Sequence, residues 1–271
     1  MGWGRDSVRT DAAGYAHPSP PLDPKCRSAM PAVVVTVLTC ASVLVGAAAQ
    51  RITGLGFALV AAPLLVASVG PVAGVSMGNV LSAVLCVVVL ASAWRFVDWR
   101  RALLLTLPAL VAIPLGVAVT RLVPTAPLMI LVGSIALVAI ATVAFSQSAS
   151  VLPGRRGAVV AGGLSGFMSA TAGVGGPALA VHAFSDRWPR QVFLGTGQAF
   201  LLATNLVAVG VKGIPVIDGW LWVAAGASLG VGILLGHLLA PTVSDGLGRR
   251  LVIGLAALGS AAAIIRGILL L

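Results

Sequence analysis

The chain of 271 residues is 59% hydrophobic and 9% charged, with a mean hydropathy of +1.07, which excludes a soluble globular domain and points to an all-α polytopic membrane protein. All seven acidic residues are Asp, at 6, 11, 23, 98, 186, 218 and 245, in the N-terminal arm or in polar breaks between apolar runs, as expected when a charge at mid-bilayer costs roughly 2.5 to 3.5 kcal/mol. The net charge of +10 comes from Lys and Arg scattered singly or in pairs, a distribution that assembles no nucleic-acid surface and suits loop charges that orient a membrane protein.

In chain order, residues 1–29 are polar and Pro-rich, with the cluster Pro18-Ser19-Pro20-Pro21, and read as a disordered arm. Met30 opens the first apolar run directly, so the start codon could lie there, a point that mass spectrometry of the N-terminus decides. The run from Ala32 to Ala49 ends in Ala47-Ala48-Ala49-Gln50 and has the outline of a signal-peptide cleavage site. It is long for such a segment and has a counterpart later in the chain, so it reads as a retained span.

Further apolar stretches lie near 56–70, 72–93, 102–120, 127–146, 157–170, 174–184, 190–211, 219–240 and 251–271. Several reach the length of about 20 residues that a helix needs to cross the hydrocarbon layer. The stretches at 56–70 and 174–184 are short, and each follows a Gly-rich break, Gly54-Leu55-Gly56 and Gly173-Val174-Gly175-Gly176-Pro177. Such breaks free backbone groups that lipid cannot satisfy, so these segments are expected to face protein or a water-filled cavity.

Sliding the chain against itself by 119 places Gly54 on Gly173, Gly56 on Gly175, Gly78 on Gly197 and Asn79 on Gln198; one gap residue then brings Asp98 onto Asp218 and Gly116 onto Gly236. The organisation expected is a first membrane repeat over 30–146, a linker over 147–156 and a second repeat over 157–271. Each half holds about five apolar segments, or three full spans plus a short broken or re-entrant hairpin. Either count is odd, which gives two repeats of inverted topology.

The breaks with Arg51, with Arg95, Arg100 and Arg101, with Arg155 and Arg156, with Arg187 and Arg190, and with Arg249 and Arg250 fall on one side, against Arg121 and Lys212 on the other. The first side is expected to be cytoplasmic and both termini outside; the basic arm disagrees, unless the chain starts at Met30. Trp94, Trp99, Trp188, Trp220 and Trp222 sit beside charged breaks, where interface anchoring is the default reading.

The two Gly-rich breaks can present bare N–H groups and the positive ends of helix dipoles to an anion. A backbone cradle around Gly54, Gly56, Gly173, Gly175 and Gly176 is therefore one reading; close helix packing by small residues is the other. Gln50, Arg51 and Thr53 before the first break and Thr171 before the second could complete the cradle. Asn79 and Gln198 are the more informative pair, because both lie in apolar runs at matching repeat positions.

Arg51 could equally be a loop charge that snorkels to the interface. His182 and His237 fall in apolar runs with no partner His or acidic residue at ligand spacing, so each reads as a packing histidine, with His182 close enough to the second break to remain a site residue. Cys26, Cys40 and Cys86 have no metal spacing and read as packing residues. No metal, cofactor or catalytic constellation is expected.

These motifs, in this order, resemble the sulfite exporter TauE/SafE family of bacterial membrane proteins. The resemblance rests on the two Gly motifs, on Leu194-Gly195-Thr196-Gly197-Gln198, and on Val97-Asp98-Trp99 with its counterpart Ile217-Asp218-Gly219-Trp220. It spans about residues 31–271. Ser76-Met77-Gly78-Asn79 stands where the first half of the family has a Gly-Thr-Ser type of segment.

The resemblance implies a permease or exporter of sulfite, sulfonates or related small oxyanions in the bacterial inner membrane. The expected partners are a small anionic solute and the lipid bilayer, not nucleic acid, and assembly into a homo-oligomer stays open. Rival readings are a drug- or metabolite-type carrier of a small organic solute and a non-transporting accessory subunit.

Overall fold

The protein is described by a computed structural model, which covers residues 31–54, 56–145, 152–240 and 245–271. The arm before Pro31, the first half of the linker, Leu55 of the first Gly motif and residues 241–244 lie outside the described residues. Five helices come from the first half: α1 (Ala32–Thr53), α2 (Gly56–Val69), α3 (Pro71–Ala93), α4 (Trp99–Leu122) and α5 (Thr125–Phe145). Five come from the second: α6 (Gly154–Ala172), α7 (Gly176–Ser185), α8 (Arg190–Lys212), α9 (Gly219–Leu239) and α10 (Asp245–Leu269). The ten expected apolar stretches correspond to ten α-helices among the described residues.

Among the described residues, seven helices are long and apolar enough to cross a membrane. At 14 residues α2 reaches only about 21 Å, and at 10 residues α7 reaches only about 15 Å, so neither crosses a layer of about 30 Å by itself. Both are buried along nearly their whole length, which answers the need of broken helices for a protein environment.

Helix ends follow local chemistry. Pro71 opens α3 after Gly70, where its missing N–H costs nothing. Asp98 caps α4 by accepting the Arg101 N–H at 3.1 Å and pairs with the Arg101 guanidinium at 3.1 Å. Pro108 and Pro114 lie inside α4, a position tolerated where neighbouring helices re-satisfy the freed groups.

Small residues decide the packing. The most extensive contacts are of α4 with α6 and of α9 with α1. A Cβ on Gly166 of α6 would sit 2.6 Å from the Ala109 carbonyl oxygen, so only Gly lets the two backbones approach. Gly116 of α4 lies against Phe167 and Ala170 of α6, and Gly236 of α9 lies against Ala48 and Arg51 of α1. Gly116 and Gly236 stand 120 apart and their partners at 48 and 51 stand 119 before 167 and 170, the two offsets on either side of the one-residue gap in the self-alignment. α5 packs on α10, and α3 on α8.

The outer surface is apolar. Leu103, Leu107, Val111 and Leu115 form an exposed stripe along α4 at a spacing of four, the surface that lipid rather than water accepts. Trp94, Trp99 and Trp220 are exposed as interface anchors would be. Trp188 is not: it is 9% exposed, its ring packed beneath the Arg101 guanidinium at 4.9 Å and edge-on to His182. Its interface role is thereby corrected to a cation–π contact tying α4 to the loop before α8.

Candidate functional site

At the first break the chain leaves α1 through Gly54, at φ 88°, whose N–H donates to the Gln50 carbonyl at 2.8 Å. It returns antiparallel along α1: Gly46 faces Phe57 and Ala61, and Gly56 faces Ala49 so closely that a Cβ would lie 2.8 Å from the Ala49 carbonyl carbon. The buried Gln50 side chain fills this turn. Its Oε1 accepts the Phe57 N–H at 3.0 Å and its Nε2 donates to Gln198 Oε1 at 3.4 Å, while Gln198 Nε2 donates to the Gly54 carbonyl at 3.0 Å. A neutral carbonyl thus occupies the place at the start of α2 where an anion would be held.

The second break is built differently. α6 ends on Gly173 in the left-handed region (φ 72°), its N–H donating to the Ser169 carbonyl at 3.1 Å, and Ser165 Oγ donates to the Gly175 carbonyl at 2.6 Å. α7 then starts at Gly176-Pro177 with no side-chain cap on its first turn. Ser169 stands 119 residues after Gln50, and its shorter side chain does not fill the turn.

Asn79 of α3 does here what Gln198 of α8 does at the first break. Its Nδ2 donates to the Ser169 carbonyl at 3.4 Å. Each of these amides therefore reaches the break of the opposite half. Asn79 is fully buried, and its Oδ1 has no partner.

A narrow cavity lies against the second break, with room for about one water molecule. Ser169, Gly173, Gly175 and Gly176 form one wall. Ser82 of α3 and Asn205 of α8 form the opposite wall, with Asn205 Nδ2 donating to Ser82 Oγ at 3.0 Å. Gln50, Ala58 and Leu201 close it. No lining residue carries a charge, so what the cavity offers a ligand is amide, hydroxyl and backbone dipoles.

The structure brings Gln50, Gly54 and Gln198 together at one break and Asn79, Gly173, Gly175 and Gly176 at the other. It leaves the remaining expected residues elsewhere. Arg51 Nη2 donates to His237 Nδ1 of α9 at 3.1 Å. Thr53 and Thr171 donate to carbonyls of their own helices, Ala49 at 2.9 Å and Phe167 at 2.7 Å, and Gly56 serves close packing.

His182 contacts the Leu152 carbonyl through Nδ1 at 2.8 Å and does not line the cavity. The expectation that it lacks an acidic neighbour is corrected: Asp186, one turn on, lies 3.9 Å from its Nε2. His237 likewise has a partner, Arg51. Among the described residues no group of three His, Cys, Asp or Glu could hold a metal ion.

Ser82, Ser169 and Asn205 are the polar cavity residues that sequence reasoning missed. Asn205 carried a usable signal, being an amide inside an apolar run two turns after Gln198. The serines carried none, because a helical Ser that bonds its own backbone costs little anywhere in a span.

Comparison with known proteins agrees with this architecture. The profile of the family described as sulfite exporter TauE/SafE matches residues 38–265. No curated protein and no solved structure matches the chain. That family comprises membrane transporters of sulfur-containing anions; the match takes in both breaks and all but the ends of the outermost helices, and the chain belongs to the sulfite exporter TauE/SafE family as a multi-pass membrane transporter.

Proposed function

We propose that this protein is a secondary carrier of small oxyanions, sulfite or sulfonates, which holds its solute at the second Gly-rich break and works by alternating access of two inverted halves. The observation that carries the reading is the buried, uncharged cavity where the uncapped start of α7 meets Asn205 and Ser82. Bare N–H groups and a helix dipole favour an anion, and the side-chain amides and hydroxyls supply donors without a fixed charge that would trap it.

The paired contacts of α4 on α6 and of α9 on α1, through residues matched by the same gapped self-alignment, support an internal two-fold relation between the halves. Space for about one water is too little for an oxyanion, so loading requires the walls to part. That demand fits a carrier that rocks α3 and α8 against the breaks. With no carboxylate in the walls, coupling falls to the charge of the solute: an exported monoanion gains about 2.3 kcal/mol per 100 mV of inside-negative potential.

The test is flux in proteoliposomes containing the purified chain, comparing sulfite, sulfate, thiosulfate and a small sulfonate, with Asn205→Ala and Asn79→Ala beside wild type. Selective anion flux, lost in Asn205→Ala and lowered for sulfite in Asn79→Ala, is the expected result. No flux of any of the four would overturn the reading and favour a carrier of organic solutes or a non-transporting accessory subunit.

A further inference from the structure

Resting on that reading, we propose that the cavity takes its oxyanion as a singly charged, singly protonated species of the hydrogen sulfite type, with Asn79 Oδ1 accepting the solute's O–H. Two independent observations meet here. The first is charge. The walls contain no cation, and the cost of moving an ion out of water grows with the square of its charge, so a dianion pays about four times what a monoanion pays. Dipoles alone suit the smaller burden.

The second observation is the acceptor. The Asn79 amide cannot be turned round, because Nδ2 faces the Ser169 carbonyl and a carbonyl can only accept. Its oxygen thereby lies beside Gly173, 3.7 Å from the place a Cβ would occupy. Gly173 lines the cavity and Asn79 stands next to that lining rather than in it, so the parting of the walls that admits the solute also has to bring the oxygen into reach. A fully buried acceptor without a donor is costly unless a ligand completes it. An oxyanion stripped of its proton offers no donor; a hydrogen oxyanion offers one.

The remaining titratable groups on the surrounding helices are occupied elsewhere or lie off the cavity. Arg51 is bonded to His237. His182 is turned to Leu152 and Asp186. On α6, Arg155 and Arg156 are exposed at its start. Arg190 and Lys212 sit at the two ends of α8. Cys40 is half-buried on α1, and the buried Cys86 thiol is hydrogen-bonded with Ser82 and Asn205. None lines the cavity.

The experiment is proteoliposome flux of radiolabelled sulfite and of methanesulfonate across the pH range that spans the second ionisation of sulfurous acid. Methanesulfonate stays a monoanion throughout and carries no proton, so it reports any titration of the protein itself. The expected result is sulfite flux that falls as pH rises, in proportion to the hydrogen sulfite fraction, while methanesulfonate flux stays level.

In Asn79→Leu, which keeps the branching and the number of side-chain heavy atoms and removes the acceptor along with the donor to Ser169, sulfite flux is expected to drop about tenfold relative to methanesulfonate flux, as loss of one buried hydrogen bond implies. Wild-type sulfite flux that rises with the dianion fraction, or parallel pH dependence for both solutes, overturns the proposal while leaving the carrier in place. An unchanged ratio in Asn79→Leu overturns the assignment of the acceptor. Flux of neither solute overturns the carrier reading, and this inference with it.

Discussion

The two Gly-rich breaks hold matching places in the chain and have opposite fates. At the first, Gln50 and Gln198 use their amides on each other, on Phe57 and on Gly54, so the turn is filled and nearly every polar group is paired. At the second, Ser169 replaces Gln50 and Asn79 replaces Gln198; both are shorter, and what remains is a cavity, an uncapped helix start and an unpaired carbonyl oxygen. Shortening two side chains converts a closed turn into an open one. Internal symmetry then supplies a scaffold, and its local violation supplies a site.

The largest expected effect distinguishes the breaks by sterics. Gly173→Val places a branched side chain in the left-handed region, 3.3 Å from Ala62 Cβ and 3.6 Å from Val75 Cγ1, at an expected cost of about 2 to 4 kcal/mol. Thermal unfolding in detergent should show a lowered Tm, and flux should be lost. In Gly54→Val the new Cβ meets only the mobile end of Leu194, so a smaller loss of Tm is expected despite the same left-handed backbone.

A second pair separates stability from transport. Gln50→Leu leaves the Phe57 N–H unpaired and should cost about 1 to 2 kcal/mol of stability, with flux per folded molecule lowered by no more than about threefold. Asn205→Leu should do the reverse, lowering flux about thirtyfold while stability changes by about 1 kcal/mol or less, since only the bonds to Ser82 and Cys86 are lost. Equal profiles for the two variants would erase the distinction between a filled break and an open one.

The smallest effects are expected at Thr53→Val and Thr171→Val. Each hydroxyl bonds only its own helix, so stability should stay within about 0.5 kcal/mol and flux within about twofold of wild type.

Much of the fold was legible because lipid leaves few choices. Runs of apolar residues with no carboxylate announced the ten α-helices among the described residues, and Gly54 and Gly173 announced the breaks, since only a residue at ease with positive φ fits either turn. Asn79 and Gln198 stood out as amides surrounded by Val, Leu and Ala. What the residues did not announce was the difference between the breaks. That difference depends on the reach of Gln50 against Ser169 and on which helix crosses each turn, both properties of three-dimensional packing. Trp188 was misread for a related reason, since Arg101 comes into reach only when the α7–α8 connection folds against α4. Asp186, four residues after His182 and so one helical turn away, was legible in the chain and was overlooked.

The central claim is that solute is held at the second break, and thiol labelling of Ser169→Cys tests it most directly. In a chain whose Cys26, Cys40 and Cys86 are replaced by Ala, reconstituted and shown to transport, a negatively charged methanethiosulfonate reagent should modify residue 169. Methanesulfonate should slow the modification several-fold and the modification should stop flux. Labelling that methanesulfonate leaves untouched, or a thiol that never reacts in a variant that still transports, would contradict the account.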